Sequence, residues 1–559
     1  MIKRTTILFF LSLLFFNQLL SQIQFGIGKN QEFIDASERF LMIYDSSKSA
    51  LNLQYYDPIL FNNFLNSINS GSLSRKDKWD YELLENEMSP LQIDSVGNKE
   101  AIFFKKGRIF SFRDGDITLA LDPLIYFAFG NDIESEKTPF RNTRGINLIG
   151  QIDQKLFFRT SILENQASYL AHIERRISQR NAIPGQGFFK RYQSNLLDNI
   201  SGWDFLNAEG VLTFIPSDHF NASIGHGSFF LGSGYHSLLL SDYADNFFFV
   251  ELNTSFGRFK YKNIFAELAP VGSTIEQVGD LLAPKKYLAT HYLSMELSRR
   301  LEISLFESVI FGRENHFEFQ YLNPLILYRV VEQKLDSPDN VMIGLNINYR
   351  LNAQNIFYSQ FLVDEMKVGE LFSGNGWWGN KLGFQIGFKH FNLMSVDHLD
   401  IQLEFNSVRP FTYSHRLTEG LDYTVASYSH YNQELAHPLG ANFNEILFLW
   451  KYRLSKKWSV NGRVFFAQIG KSISENIGQD ILRPSNSRIS DFENSIGQGE
   501  STKILQLGTI LTYHLPFDYY ADFQFLYRNE ESDYGNFNVK STYFGISFRA
   551  HLSHQKLDY

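Results

Sequence analysis

The chain has 559 residues, no cysteine, a formal net charge of −8 and 16% aromatic residues, including 54 Phe and 28 Tyr. The lack of cysteine excludes a disulfide framework, a thiolate metal site and a thiol nucleophile; the acidic balance argues against nucleic acid, whose phosphates need basic patches. So many aromatics at a mean hydropathy of only −0.21 point to strands with one lipid face and one watery face, as in a membrane β-barrel.

In chain order, residues 1–21 read as a secretory signal peptide. Lys3 and Arg4 precede an apolar run from Ile7 to Phe16, and Leu19-Leu20-Ser21 supplies a cleavage point before Gln22. Asn17 and Gln18 break the run short of the ~20 residues a membrane helix requires. Removing this segment takes away two positive charges, so the net charge moves from −8 to −10. Residues 22–100 read as a small mixed periplasmic segment, with a helix over Glu32–Asp45. The barrel is expected over 101–559.

Within it, paired period-2 segments meet at short turns. Phe247–Phe256 and Phe259–Leu268 flank Gly257-Arg258, which suits a two-residue hairpin. Leu288–Leu297 leads into Glu302–Ile310, and Val341–Leu351 leads into Asn355–Asp364. Glu445–Leu454 leads into Trp458–Ile469, and Lys503–Leu515 into Tyr519–Arg528. The last strand, Ser541–Leu552, sets Thr542, Phe544, Ile546 and Phe548 on one face against Ser541, Ser547, Arg549 and His551 on the other. Such a segment, at ~3.3 Å per residue and a tilt of roughly 40°, crosses a ~25 Å apolar band. Fifteen strands are clear from about residue 108, and weaker candidates lie at 117–161. The expected fold is therefore an all-β, antiparallel outer-membrane barrel of about 18 strands. Long connections at 366–381, 410–442 and 471–501 are expected on one rim. Ala167–Arg180, with Arg175, Arg176 and Arg180, reads as a helix that forms a plug or a surface loop.

Several motifs invite chemistry. His236 beside Ser237 suggests a barrel lipase or deacylase, yet neighbours on a strand point to opposite faces. Phe466–Ser472 lacks the first glycine of a phosphate-binding loop. His415, His430 and His437, with Asp422 and Glu434, crowd one loop, but their spacing matches no compact metal-ligand pattern. Asp364-Glu365 and Glu530-Glu531 read as solvated charges at the rims. Gly376-Trp377-Trp378-Gly379-Asn380-Lys381 offers aromatic faces for sugar stacking, against the plainer role of an interfacial girdle.

An ordered set of motifs resembles a known family. The runs are Gly232–Asp242, Phe319-Gln-Tyr321-Leu-Asn323-Pro324, Glu332 through Ser337–Asn340, and Gly376–Lys381. Glu404-Phe-Asn406, Arg409-Pro410, Tyr413-Ser-His415, His430–Gln433 and Ala436–Asn442 follow. Together they resemble the capsule-assembly Wzi family of outer-membrane proteins, above all its Bacteroidetes gliding-motility members of the RemB type. One departure is the chain end, where Ser553–Tyr559 follow the last strand. The resemblance implies an 18-stranded barrel whose outer face holds capsular or exopolysaccharide, and a part in gliding. The family's sugar contacts are not carried over, because the outer loops are this chain's own. The candidate polysaccharide contacts are Trp377, Trp378, Asn380, Arg409, Tyr413, His415 and Tyr431. No cofactor, metal or catalytic residue is expected; the expected partners are outer-membrane lipid, surface polysaccharide, and gliding or periplasmic proteins. The rival readings are a diffusion channel and a barrel lipase.

Overall fold

The computed structural model describes residues 31–44, 58–88, 100–105, 108–135, 137–194, 201–270, 284–313, 317–418 and 424–554. Residues 1–21 (expected to be a signal peptide), Asp422 and Tyr559 lie outside the described residues. Among the described residues the main sheet has 21 strands, all pairs antiparallel, and closes on itself where the last strand, Val539–Ala550, pairs with Ile117–Asp132. Three strands are appendages: Glu100–Lys105, Arg108–Asp114 and Lys190–Gln193. The other eighteen form the barrel. The Glu100–Asp114 hairpin stands beside the seam, pairing Phe110–Asp114 with Ile117–Leu121, below the stretch from Ile125 onward that the last strand occupies.

Alternation sorts the side chains as expected. In the last strand Phe544 and Ile546 face outward at 41% and 64% exposure, while Ser541, Ser547 and Arg549 are buried inside. The short turns gather on one rim, among them Gly257-Arg258 and Arg299-Arg300, and the described parts of the long connections, 169–194, 228–246, 317–339, 424–442 and 472–499, gather on the other.

The stretch that looked weakest in sequence holds three full strands, Ile117–Asp132, Phe140–Ile152 and Leu156–Ser168. Their period-2 signal is blurred because the inward face is apolar too. Ala120, Ile149 and Phe157 join a buried cluster with Phe33, Phe40, Phe61, Leu65 and Leu84. Those last five belong to three helices: α1 (Gln31–Tyr44), α2 (Pro58–Ser67) and α3 (Asp77–Met88). The helices fill the short-turn end of the bore.

Charge fixes how they sit. On α1, Glu32, Asp35 and Glu38 recur every three residues and so share one face. They meet Arg549 (2.6 Å), Lys451 and Lys389 (2.6 Å) from three different strands. Burial alone would raise the Glu32 carboxyl, but the Arg549 guanidinium more than reverses this and holds it at about 2. Arg39, 3% exposed, reaches Asp400 at 2.8 Å and Asp397 at 3.3 Å, and donates to Asn392 at 2.7 Å. Asp77 of α3 accepts from Tyr44 and lies 3.0 Å from His398 in the turn between two strands. Asp77, Asp397 and His398 can be read as metal ligands, yet Arg39 lies 3.5 Å from Asp77, so a cation already occupies this acidic corner.

At the far end of α3, Glu87 meets His551 at 3.7 Å. Burial, with the Glu87 carboxylate beside it, pushes Asp518 up to about 8. For His551 burial acts downward, but the hydrogen bond and charge of Glu87 prevail and raise it to about 8. Both groups hold protons in the folded state that the unfolded chain would release at lower pH. Their stabilisation is complete below the unfolded values, about 4 for Asp and about 6.5 for His, and is lost as pH rises through about 8. Proteolysis within residues 58–88 is therefore expected to be faster at pH 9 than at pH 6; an equal or slower rate would contradict the assignment.

Candidate functional site

The opposite end of the bore is closed by the chain's own loops. The connection 228–246 turns inward and buries Phe229, Leu238, Leu239 and Leu240 completely. A loop inside a barrel carries backbone polar groups that must be satisfied there. Polar side chains on successive strands do this. Gln360 donates to the Leu231 carbonyl (2.9 Å) and accepts from the Leu238 amide (2.8 Å). Gln385 donates to the His236 carbonyl at 2.9 Å. Glu404 accepts from the amides of Tyr235 (2.6 Å) and His236 (3.1 Å) and from the Tyr358 hydroxyl (2.8 Å). From above, Tyr413 donates to the Leu238 carbonyl at 2.7 Å. The inward face thus forms a girdle of amide and carboxylate groups that suspends the loop.

A second layer lies over it. Helix α4 (Ala171–Arg180) ends at Asn181 in the left-handed conformation (φ 47°) and buries Ile173 and Ile177 in the same cluster. It begins later than the sequence pattern implied, because Ala167 is still paired with Arg141 and Trp203 in the wall. Arg176 and Arg180 converge on Glu434 at 2.8 and 2.7 Å, and Arg180 also bonds Asp480. Arg175 donates to the carbonyls of Phe537 and Asn538 at 2.7 and 2.9 Å. The helix therefore ties together three loops. Asn442 joins a fourth contact, donating to the carbonyls of Gly470 and Gln498 at 3.2 and 2.9 Å. A Cβ on Gly470 would lie 1.8 Å from the Gln498 carbonyl oxygen. Gly470→Ala is accordingly expected to loosen the 472–499 loop at a cost of about 1–3 kcal/mol, seen as faster amide exchange there with the wall unchanged.

The histidines suggested by sequence separate into distinct settings. His430 accepts from the Ala269 amide at 3.0 Å, and burial drives its imidazole down to about 3. Burial likewise lowers His415 to about 3, with the Lys381 charge adding to it. His437 joins His236 and Glu445, a trio whose ligand-type atoms lie within 4.8 Å of one another. The Leu439 amide donates to His437 Nδ1 at 3.2 Å, so the proton sits on Nε2, which donates to Glu445 Oε2 at 3.0 Å. A protonated nitrogen has no lone pair for a metal, and the trio is a hydrogen-bonded tie between cap and wall. The Ser237 hydroxyl bonds the Leu231 carbonyl at 2.5 Å while His236 faces Glu445 at 3.1 Å, so the two do not form a nucleophile–base pair. Glu530, expected to be solvated, is 4% exposed and is paired with Arg528 (2.8 Å) and Lys471 (3.3 Å). Lumen crowding by loops overrides its position near the rim.

Above the cap, the loops 366–380 and 472–499 are joined edge to edge. The Trp378 amide donates to Asp491 (2.9 Å), the Glu493 amide to Asn375 (2.8 Å) and the Asn494 amide to Gly376 (2.9 Å). Gly376 has φ +67°, and a Cβ there would lie 2.7 Å from the Asn494 nitrogen, so glycine permits the junction. The candidate sugar contacts divide here. Trp378 carries the Arg488 guanidinium at 4.0 Å and the Lys381 ammonium at 5.1 Å over its ring, with Phe411 against it. Trp377 rests on Gly379, with Lys367 5.7 Å from its ring centre. Arg409 donates to the Asn380 carbonyl at 2.8 Å. Asn380 and Tyr413 are buried at 2% and 1% exposure, so both position the loops from beneath. Tyr431 lies elsewhere, its amide bonded to the Ala269 carbonyl. Phe372, Ile489 and Phe492, which sequence reasoning did not single out, are exposed at 84%, 61% and 46% in the same two loops as Trp377. Their signal was apolar residues inside otherwise polar loops.

No protein-family model and no curated protein matches the sequence. Among solved structures the chain is similar to the Escherichia coli outer-membrane protein Wzi, described as involved in group 1 capsule assembly and as a carbohydrate-binding β-barrel. The TM-score is 0.54 at 11% identity, over 96% of this chain and 100% of that one. It also matches Pseudomonas aeruginosa OprD (TM-score 0.40, 12% identity, 82% of this chain and 98% of that one). A third match is Acinetobacter baumannii OccAB4 (0.41, 7%, 78% and 97%). At 11% identity the likeness to Wzi establishes the fold alone, an outer-membrane type of β-barrel.

Proposed function

We propose that this chain is a closed outer-membrane barrel whose loop face holds polysaccharide at the cell surface, with a contribution to gliding through that attachment. The carrying observation is that protein fills the bore at both ends. The suspended loop 228–246 occupies one and helices α1–α3 the other, which leaves the loop surface as the working surface. The Trp377 ridge supplies what sugars require, an aromatic face beside charged and amide groups. The likeness to a carbohydrate-binding barrel supports the reading.

Folded protein should retain the cell's own polysaccharide in a pull-down or glycan array. Trp377→Ala should weaken that retention about tenfold, or ~1.4 kcal/mol. Tyr413→Phe, which removes only a buried hydroxyl, should reduce it less. Equal binding by wild type and Trp377→Ala would remove Trp377 from the site, and no binding by wild type would remove the function. Loss of capsule retention together with spreading in a deletion strain is the expected cellular result.

A further inference from the structure

Unlike the capping loops, residues 317–339 fold down over the outside of the wall. Alternation makes this plain: Phe306, Ile310 and Met342 belong to the inner cluster, so Leu305, Glu307, Phe311, Val341 and Ile343 face out. Against that outer face lie Tyr321 and Tyr328, both fully buried, the first 4.7 Å from Phe311 and the second 4.0 Å from His291, ring centre to ring centre. Asp339 roots the segment by accepting from Arg313 and Tyr321 at 2.7 Å and from Ser337 at 2.6 Å. The Arg329 amide donates to Glu307 at 3.2 Å, and Tyr261 bonds the Pro324 carbonyl.

The segment has two unlike sides. Beneath it lie Asn263, His291 and Glu307, polar side chains on the outer wall that it keeps at 2%, 7% and 6% exposure. Its own far side exposes Phe319, Leu325, Leu327 and Val330 at 76%, 87%, 63% and 38%, with Gln320, Asn323 and Arg329 also exposed in the segment. Two residues farther along the same strands, or ~7 Å, Leu305 and Ile343 begin the exposed outer band at 55% and 50%. These exposed apolar side chains are thus continuous with the outer apolar band, and the segment covers the polar groups that would otherwise meet lipid themselves.

We propose that residues 317–335 form an amphipathic flap lying in the acyl region of the loop-side leaflet, with lipid chains as its occupant. This rests on the reading that the barrel spans the outer membrane. Because the chain contains no cysteine, single spin labels at Leu325→Cys, Ile343→Cys and Ile489→Cys report without background in the full-length protein reconstituted in phospholipid vesicles. Accessibility to oxygen, which concentrates in lipid, is compared with accessibility to a water-soluble nickel chelate. The expected result is that Leu325 and Ile343 favour oxygen at least fivefold over the Ile489 site in the upper loops. If Leu325 behaves like Ile489 while Ile343 stays in lipid, the flap assignment fails and the barrel reading stands. If Ile343 also favours nickel, the membrane reading itself fails. A Leu325 label shielded from both reagents would mean protein covers the flap, which overturns a lipid occupant.

Discussion

Replacing Arg39 with alanine is expected to loosen the helical bundle against the barrel. Arg39 is 3% exposed and lies within 3.5 Å of carboxylates from both bodies, Asp77 of α3 and Asp397 and Asp400 of the wall. Its removal takes the guanidinium from the buried Asp77, which keeps His398 at 3.0 Å, and from the more exposed Asp397 and Asp400; breaking a fully buried pair from one side costs about 3–5 kcal/mol, which is the upper bound here. Other ties remain, including Glu32–Arg549 and Glu38–Lys389, so the wall should keep its strands while the bundle loosens at the Arg39 corner. Protease should cut between residues 31 and 88 at least tenfold faster than in wild type, with circular dichroism still dominated by strand. Arg39→Lys should fall between the two, because an ammonium lacks the fork that reaches Asp400 and Asn392 together. Unchanged cleavage in Arg39→Ala would show that the apolar cluster alone seats the bundle.

The second expectation concerns conduction. With protein at both ends of the bore, the intact barrel should be silent in a planar bilayer, and opening either end alone should leave it silent. Glu404→Leu strips acceptors from two buried amides and the Tyr358 hydroxyl. An unsatisfied buried donor costs about 1–3 kcal/mol, enough to free the suspended loop. Combined with deletion of residues 31–88, this substitution should produce stepwise conductance that neither change gives by itself. Steady large conductance from wild-type protein would favour the diffusion-channel reading.

How much of this was legible in the sequence follows from the range of the interactions. The hairpins were legible because a strand's alternation and its turn are local: Phe247–Phe256 and Phe259–Leu268 appear with the boundaries read from sequence. The strands over 117–168 were not, since their inward residues answer to helices far upstream. The acidic row Glu32, Asp35, Glu38 is visible on α1, but its basic partners lie hundreds of residues away and nothing local names them. Among the candidate site residues, the Trp pair could be seen as aromatic and loop-borne. Which ring is roofed by Arg488 depends on a loop over a hundred residues later. The motifs that carried the family resemblance lie largely in the cap and its girdle, which explains why they signalled a fold more directly than a ligand.

The contact between Glu32 and Arg549 spans 517 positions and joins the first described helix to the last strand. During assembly the helix is made first and this one tie must wait for the last strand, so sealing the cylinder also completes the seating of its stopper. Contacts of such sequence separation form late and slowly. A cylinder still missing its final strand would therefore hold that helix by Lys451, Lys389 and the apolar cluster alone, and its full protection would mark completion of the wall.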